Sequence, residues 1–170
     1  MWVKPAIRQS TDLLCKITMG QRRTGEMTAR GVYGLRLRFP FGASGYIDND
    51  DPKEGIFTYV MYHGGMVTPG AWHLLALRWD GATLSLFVDG KLVKATPYDP
   101  VPEYGLSYWG ETDLMIGSAV AWGHANPDPT DFRGEIGPLT IYSRPRSEAE
   151  IAAEYAAMML GPAAGEAAQH

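Results

Sequence analysis

Cysteine is almost absent from this chain. Its 170 residues contain Cys15 alone, which excludes an internal disulfide and any zinc or iron–sulfur centre built on cysteines. No apolar run approaches the roughly 18 residues that a membrane-crossing helix needs. Neither sign of charge dominates: 15 Lys and Arg stand against 19 Asp and Glu, a net charge of −4, so there is no general nucleic-acid footprint. The first residues, Met1-Trp2-Val3-Lys4-Pro5, lack the charged-then-apolar pattern of a secretory signal. The chain is therefore expected to be cytosolic, a mature fragment, or part of an assembly that leaves the cell by another route. Two catalytic signatures are also missing, the Gly-x-Ser-x-Gly elbow and the His-Glu-x-x-His helix. His63, His73 and His124 are too far apart to define a metal spacing, and His73 reads as an ordinary sheet residue.

Glycine and proline, by contrast, are abundant. The 20 Gly and 12 Pro argue against a helical bundle and for many short strands joined by turns. Apolar residues at 45% and charged ones at 20% describe a globular chain. At this length one domain forms, and it buries roughly 70% of its unfolded surface without needing a staple.

A period of two is clearest over residues 72–95. Residues 72–79 end at Asp80-Gly81; Thr83-Leu84-Ser85-Leu86-Phe87-Val88 alternates and ends at Asp89-Gly90; Lys91-Leu92-Val93-Lys94-Ala95 follows. Asp-Gly between alternating runs predicts type I′ hairpins, because both central residues need φ > 0. Three antiparallel strands in a meander result. Further strands are expected at 12–18, 32–39, 56–62, 114–117 and 135–142, the last held to an edge or a bulge because Pro138 donates no ladder bond. Cys15, inside Leu13-Leu14-Cys15-Lys16-Ile17, is predicted to be a buried, inert thiol. One helix is predicted, capped by Ser147 with Glu150 completing a capping box and stopped at Gly161-Pro162. Its stripe Ile151, Tyr155, Met158 and Met159 is expected to dock on the sheets. Residues 163–170 form a low-complexity tail. Three stretches, 42–55, 96–112 and 118–131, read as long loops and as the places where function resides.

Several of these segments, in order, resemble a known family. Trp2-Val3-Lys4-Pro5 is similar to its early "W-V-K-P" strand, and Tyr33-Gly34-Leu35-Arg36-Leu37 to the strand after it. Trp72-His73, Arg78-Trp79-Asp80-Gly81 and 84–93 resemble the central block, and Leu114-Met115-Ile116-Gly117 the short "L-x-I-G" strand. Phe132-Arg133-Gly134-Glu135-Ile136, Ile141-Tyr142-Ser143-Arg144 and 147–151 resemble the closing block. The family is that of laminin-G-like, concanavalin A-like lectin/glucanase domains, and the resemblance covers nearly all of residues 2–155. It implies an all-β fold, an antiparallel jelly-roll sandwich of two curved sheets with one C-terminal α-helix, over residues 1–160, followed by a tail at 161–170. It also implies an extracellular or particle-surface setting. Members usually begin with one or two more strands than this chain shows. Unpaired backbone and apolar surface should then lie along one sheet, covered by the C-terminal tail, a rearranged N-terminus, a homo-oligomer or a partner chain adding a strand. The family's acidic residue after the closing-strand isoleucine is replaced by Gly137-Pro138, which argues against transferring that calcium ligand.

Three chemistries fit the predicted loops. Glycosidases on this superfold set carboxylates at i, i+2 and i+4 of one strand. Glu111 and Asp113 begin that pattern, but Met115 takes the third place, so no catalytic residue is assigned and a glycoside hydrolase is the weaker expectation. Calcium needs six to eight hard oxygens; Asp48, Asp50 and Asp51, with Asn49 and Glu54, offer them, though without EF-hand spacing, and Asn126, Asp128 and Asp131 form a second candidate. Sugars present an apolar face and a hydroxyl edge, which flat rings and planar polar groups recognise. Tyr98, Tyr104, Tyr108 and Trp109 in one loop, with Trp122, His124 and Asn126 in the next, supply both. The expected function is a non-catalytic binding or adhesion module for glycan or protein ligands acting through rim loops. The alternative is a structural or assembly protein of a virion, tail or surface array. No nucleic acid or membrane span is expected.

Overall fold

The computed structural model describes residues 1–21, 27–40, 42–51, 56–97, 114–118 and 131–160. Two five-stranded antiparallel sheets stack as a sandwich. The first sheet has the order β10-β1-β6-β7-β8 and the second β5-β4-β3-β2-β9. In chain order the elements are β1 (Trp2–Pro5), β2 (Thr11–Gln21), β3 (Met27–Arg38), β4 (Gly42–Asp51), β5 (Ile56–Gly64), β6 (His73–Trp79), β7 (Thr83–Val88), β8 (Lys91–Pro97), β9 (Leu114–Ile116), β10 (Gly134–Ile136) and helix α1 (Glu148–Met159). No helix among the described residues is long and apolar enough to cross a membrane.

The predicted meander is β6, β7 and β8. At its second turn Asp89 has φ 53° and Gly90 φ 74°, the pair of positive angles that a type I′ turn requires. The first turn differs from expectation. Only Gly81 there has a positive φ, and the Asp80 carboxylate accepts the backbone N–H of Ala82 and of Thr83 at 3.1 and 2.8 Å. A side chain that takes those donors substitutes for the type I′ geometry.

Alternation fills the space between the sheets. Val3, Leu13, Leu35, Leu37, Ala43, Leu75, Leu86 and Val88 form the main core. Trp2, Leu74 and Phe87 line the opposite face of the first sheet, where Ile151 of α1 covers them. Trp2 and Tyr155 stack with ring centroids 5.8 Å apart and planes 9° from parallel. The capping box holds the start of the helix: Ser147 Oγ accepts the Glu150 N–H at 3.2 Å, and Glu150 Oε2 accepts the Ser147 N–H at 2.7 Å. Met158 and Met159 depart from the predicted stripe and stay exposed, since the docked face ends at Tyr155.

Two further expectations are corrected. Most of the stretch read as a loop at 42–55 is β4, paired with β3 on one side and β5 on the other. Its glycines and aspartates are poor strand formers, but two flanking ladders override that weak local preference. The closing strand is shorter than 135–142 and stops at Ile136; two residues on, Pro138 lacks an N–H, and its carbonyl instead accepts from Trp2. Strand β1 lies between β10 and β6.

A rim cleft as the candidate binding site

The residues that the sequence singled out for sugar binding, Tyr104, Tyr108, Trp109, Trp122, His124 and Asn126, lie outside the described residues, as do Glu111, Asp113 and Asp128. Asp48, Asp50 and Asp51 occupy ladder positions on β4 opposite Tyr59, Phe57 and Ile56, and their side chains are outside the described set. Asp131 accepts a hydrogen bond from Ser118 Oγ at 2.7 Å. Among the described residues no group of three or more His, Cys, Asp or Glu could hold a metal ion.

The other loops carried no sequence motif that marks a site. Those joining β1 to β2, β3 to β4 and β5 to β6 converge on one rim of the sandwich, around a cleft of ≈ 460 Å³. Ile7, Phe39, Pro40, Met66 and Pro69 contribute its apolar surface, and Arg8, Gln9 and Thr68 its polar margin. Ile7, Phe39 and Met66 are 43%, 51% and 80% exposed. The Arg8 guanidinium sits 5.6 Å from the centre of the Phe39 ring, a cation–π geometry that holds both flat groups at the margin. Phe39 and Pro40 are joined by a cis peptide bond.

Each loop is tied to the scaffold by named bonds. Gln9 clamps the backbone of Arg133, donating to its carbonyl at 2.9 Å and accepting its N–H at 3.1 Å. Ser10 Oγ accepts the Phe39 N–H at 3.0 Å. Gly70 donates to the Pro5 carbonyl at 2.7 Å. Gly65, at φ 69°, has no room for a side chain, because a Cβ there would lie 2.5 Å from Val88.

His73 fastens the third loop. Its Nδ1 is 2.8 Å from Asp89 Oδ2, and its Nε2 accepts the Thr68 N–H at 3.0 Å. Thr68 Oγ1 is also 3.2 Å from that nitrogen. Hydroxyl, imidazole and carboxylate thus line up as in a nucleophilic triad. The chemistry differs, however. The Nε2 lone pair is committed to a backbone N–H and cannot take a proton from the hydroxyl while that bond stands, so the proton rests on Nδ1, facing Asp89. Asp89 Oδ1 also accepts the Leu74 N–H at 3.0 Å. The arrangement is a latch from the β7–β8 turn through β6 to the rim. In the sequence the one trace of it is the Trp72-His73 pair preceding a meander that returns through Asp89.

Electrostatics elsewhere is structural. Cys15 is fully buried, and its thiol is pushed up to about 11, first by burial and then by the Asp12 carboxylate, against a smaller opposing effect of Arg36. That thiol is protonated and unreactive, as the sequence predicted.

Comparison with family models agrees with this architecture. A laminin G family model, described as the concanavalin A-like lectin/glucanases superfamily, matches residues 1–152. Among solved structures, an S-layer domain-containing protein from Clostridium thermocellum is similar at 16% identity and a TM-score of 0.42, over 91% of this chain and 67% of that one. On the family match, together with two antiparallel sheets and one helix, the chain belongs to the concanavalin A-like lectin/glucanases superfamily.

Proposed function

We propose that this domain is a non-catalytic module that binds a protein ligand at the rim cleft. One observation carries the reading: Ile7, Phe39 and Met66, three large apolar side chains on three separate loops, are exposed together around one cleft. Leaving such groups in water costs free energy, and the clamps on Gln9, Ser10 and His73 keep them from folding inward. A rigid scaffold that presents apolar loop residues suits recognition. Methionine and isoleucine match a protein surface better than a sugar, which calls for flat rings with planar polar partners. Among the described residues the lining contains no Asp or Glu, which favours recognition over glycoside hydrolysis at this place. Arg8 at the margin favours a ligand whose apolar anchor is flanked by carboxylates.

A photo-crosslinking amino acid at position 39 or 66 in cells tests this, with position 91 on the edge strand as control. A discrete protein adduct at 39 and 66 but not at 91 is the expected result. Equal capture at all three, or glycan-array binding abolished by Phe39→Ala, overturns it. The assembly reading is favoured by a second apolar patch: Met158, Met159 and Leu160 at the end of α1 are 44%, 57% and 84% exposed. Self-association lost on Leu160→Asp would support that reading.

A further inference from the structure

The latch at His73 holds the middle of a loop whose two ends are fixed by other means. In the segment 65–72, the Gly65 carbonyl accepts the Ala43 N–H at 3.3 Å, and Gly70 donates to the Pro5 carbonyl at 2.7 Å. Between these anchors Met66, Val67, Thr68 and Pro69 line the rim cleft. Val67 packs on the core. Among the described residues, the backbone bond that fastens this stretch is the one from the Thr68 N–H to His73 Nε2, at 3.0 Å. Neither end anchor involves a group that titrates. The middle one ends on an imidazole, the side chain that changes charge between about pH 5 and 8.

Protonation reverses what Nε2 can do. In the neutral ring it accepts; in the charged ring it carries a hydrogen of its own. That hydrogen points at the Thr68 N–H, and two donors cannot share one line. Both sides of the ring accommodate the charged form. Asp89 Oδ2, 2.8 Å from Nδ1, sets a carboxylate against an imidazolium whose side chain is 9% exposed, the partner that a charge removed from water requires. Thr68 is itself exposed, so water takes its freed N–H. Its Oγ1, 3.2 Å from Nε2, accepts the new ring N–H once the backbone has turned away. Among the described residues, Asp89 is the charged group bonded to His73. On the surrounding elements, Lys4 of β1 pairs with Glu135 and Arg36 of β3 with Asp12, and the Met1 amino group bonds the Leu75 carbonyl. Arg8 lies over Phe39, Arg38 lines the cleft with Thr68, and Lys91 opens β8 two residues after Asp89.

We propose that His73 is a proton-controlled latch on the rim: its protonation unfastens Thr68, and the Met66 wall of the cleft leaves its place while the two sheets stay closed. The wall is set while the ring is neutral and released as the pH falls through the titration of the ring. That a bound protein is let go in acid rests on the rim reading above; the release of the loop does not.

The test is nuclear magnetic resonance on the 170-residue chain, with no ligand present, from about pH 8 to about pH 5. The ring nitrogens of His73 report protonation, the Thr68 amide reports the latch by hydrogen exchange corrected for the intrinsic effect of pH, and the Met66 methyl reports the wall. Thr68 protection is expected to fall roughly tenfold or more as His73 titrates, with the Met66 signal moving at the same midpoint. The Phe39 amide, held by Ser10, and the Gly70 amide, held by Pro5, keep their protection. In His73→Gln, which retains an acceptor and a donor but does not titrate, Thr68 protection stays constant across the range; the wild-type titration decides alone if that variant does not fold. Four outcomes overturn the proposal: Thr68 equally protected at both ends of the range; His73 still neutral at the acid end; an equal loss at Phe39 and Gly70, which would mean general loosening in acid; or the same Thr68 loss in His73→Gln. Because no ligand enters this measurement, its failure is distinct from failure of the crosslinking test, which strikes the rim reading.

Discussion

Asp12 and Arg36 face each other on neighbouring strands, β2 and β3. The carboxylate and the guanidinium Nε are 2.7 Å apart, with 9% and 7% of their side chains exposed. The guanidinium also lies 4.9 Å from the centre of the Tyr46 ring. A charge this far from water depends on its partner, so removing one member costs far more than the pair itself contributes. Asp12→Ala should therefore lower stability by about 3 kcal/mol. The double replacement Asp12→Leu with Arg36→Met should recover most of that loss. Urea denaturation of the three proteins measures both; a neutral single substitution would contradict the geometry.

Among the elements, α1 responds most directly to pH. The Arg144 guanidinium, bonded to both Glu150 oxygens at 3.1 and 2.5 Å, and the Ser147 N–H hold the Glu150 carboxyl well below the usual carboxylate range. A depressed folded value means that the ion pair and capping box stabilise the fold fully above the unfolded value, roughly pH 4.3, and that this contribution is lost as the pH falls toward the folded value. Acid titration followed by circular dichroism should show the wild type losing stability below that point more steeply than Glu150→Gln, which has no carboxyl to protonate. The hairpin next to the helix is equally constrained. Gly90 combines φ 74° with a position where a Cβ would meet Ala152 at 3.0 Å and Tyr155 at 3.1 Å. Gly90→Ala should cost at least about 1 kcal/mol from backbone strain alone. It should also weaken the Trp2–Tyr155 stack, visible as a change in near-ultraviolet circular dichroism.

At the scale of the whole molecule, the spacing of the sheets is set by small residues on β4 facing large ones on the first sheet. A Cβ at Gly45 would lie 2.5 Å from Leu77, and Ala43 is fully buried in the core. Gly45→Val should therefore destabilise the sandwich by about 2 kcal/mol through overpacking. Thermal unfolding checks this effect.

What could be read from the sequence was local in physical origin. The turn at Asp89-Gly90, the capping box of Ser147 and Glu150, the alternation of β7 and the inert Cys15 depend on neighbours a few residues away, or on burial alone, and each appears as expected. Even there, the turn at Asp80 shows how one side-chain oxygen redirects a local rule. The strand at β4 was hidden because its glycines and aspartates take their conformation from two partner ladders. The rim cleft was not legible. Ile7, Phe39 and Met66 are scattered along the chain, and their meeting depends on long-range pairing. Composition and turn chemistry pointed to an antiparallel sandwich, and the resemblance of its ordered motifs to a known family implied the concanavalin A-like form, since those signals act within short segments. Only the tertiary structure decided which loops share a rim, because that follows from which strands lie side by side, a choice made by the packing of the whole core.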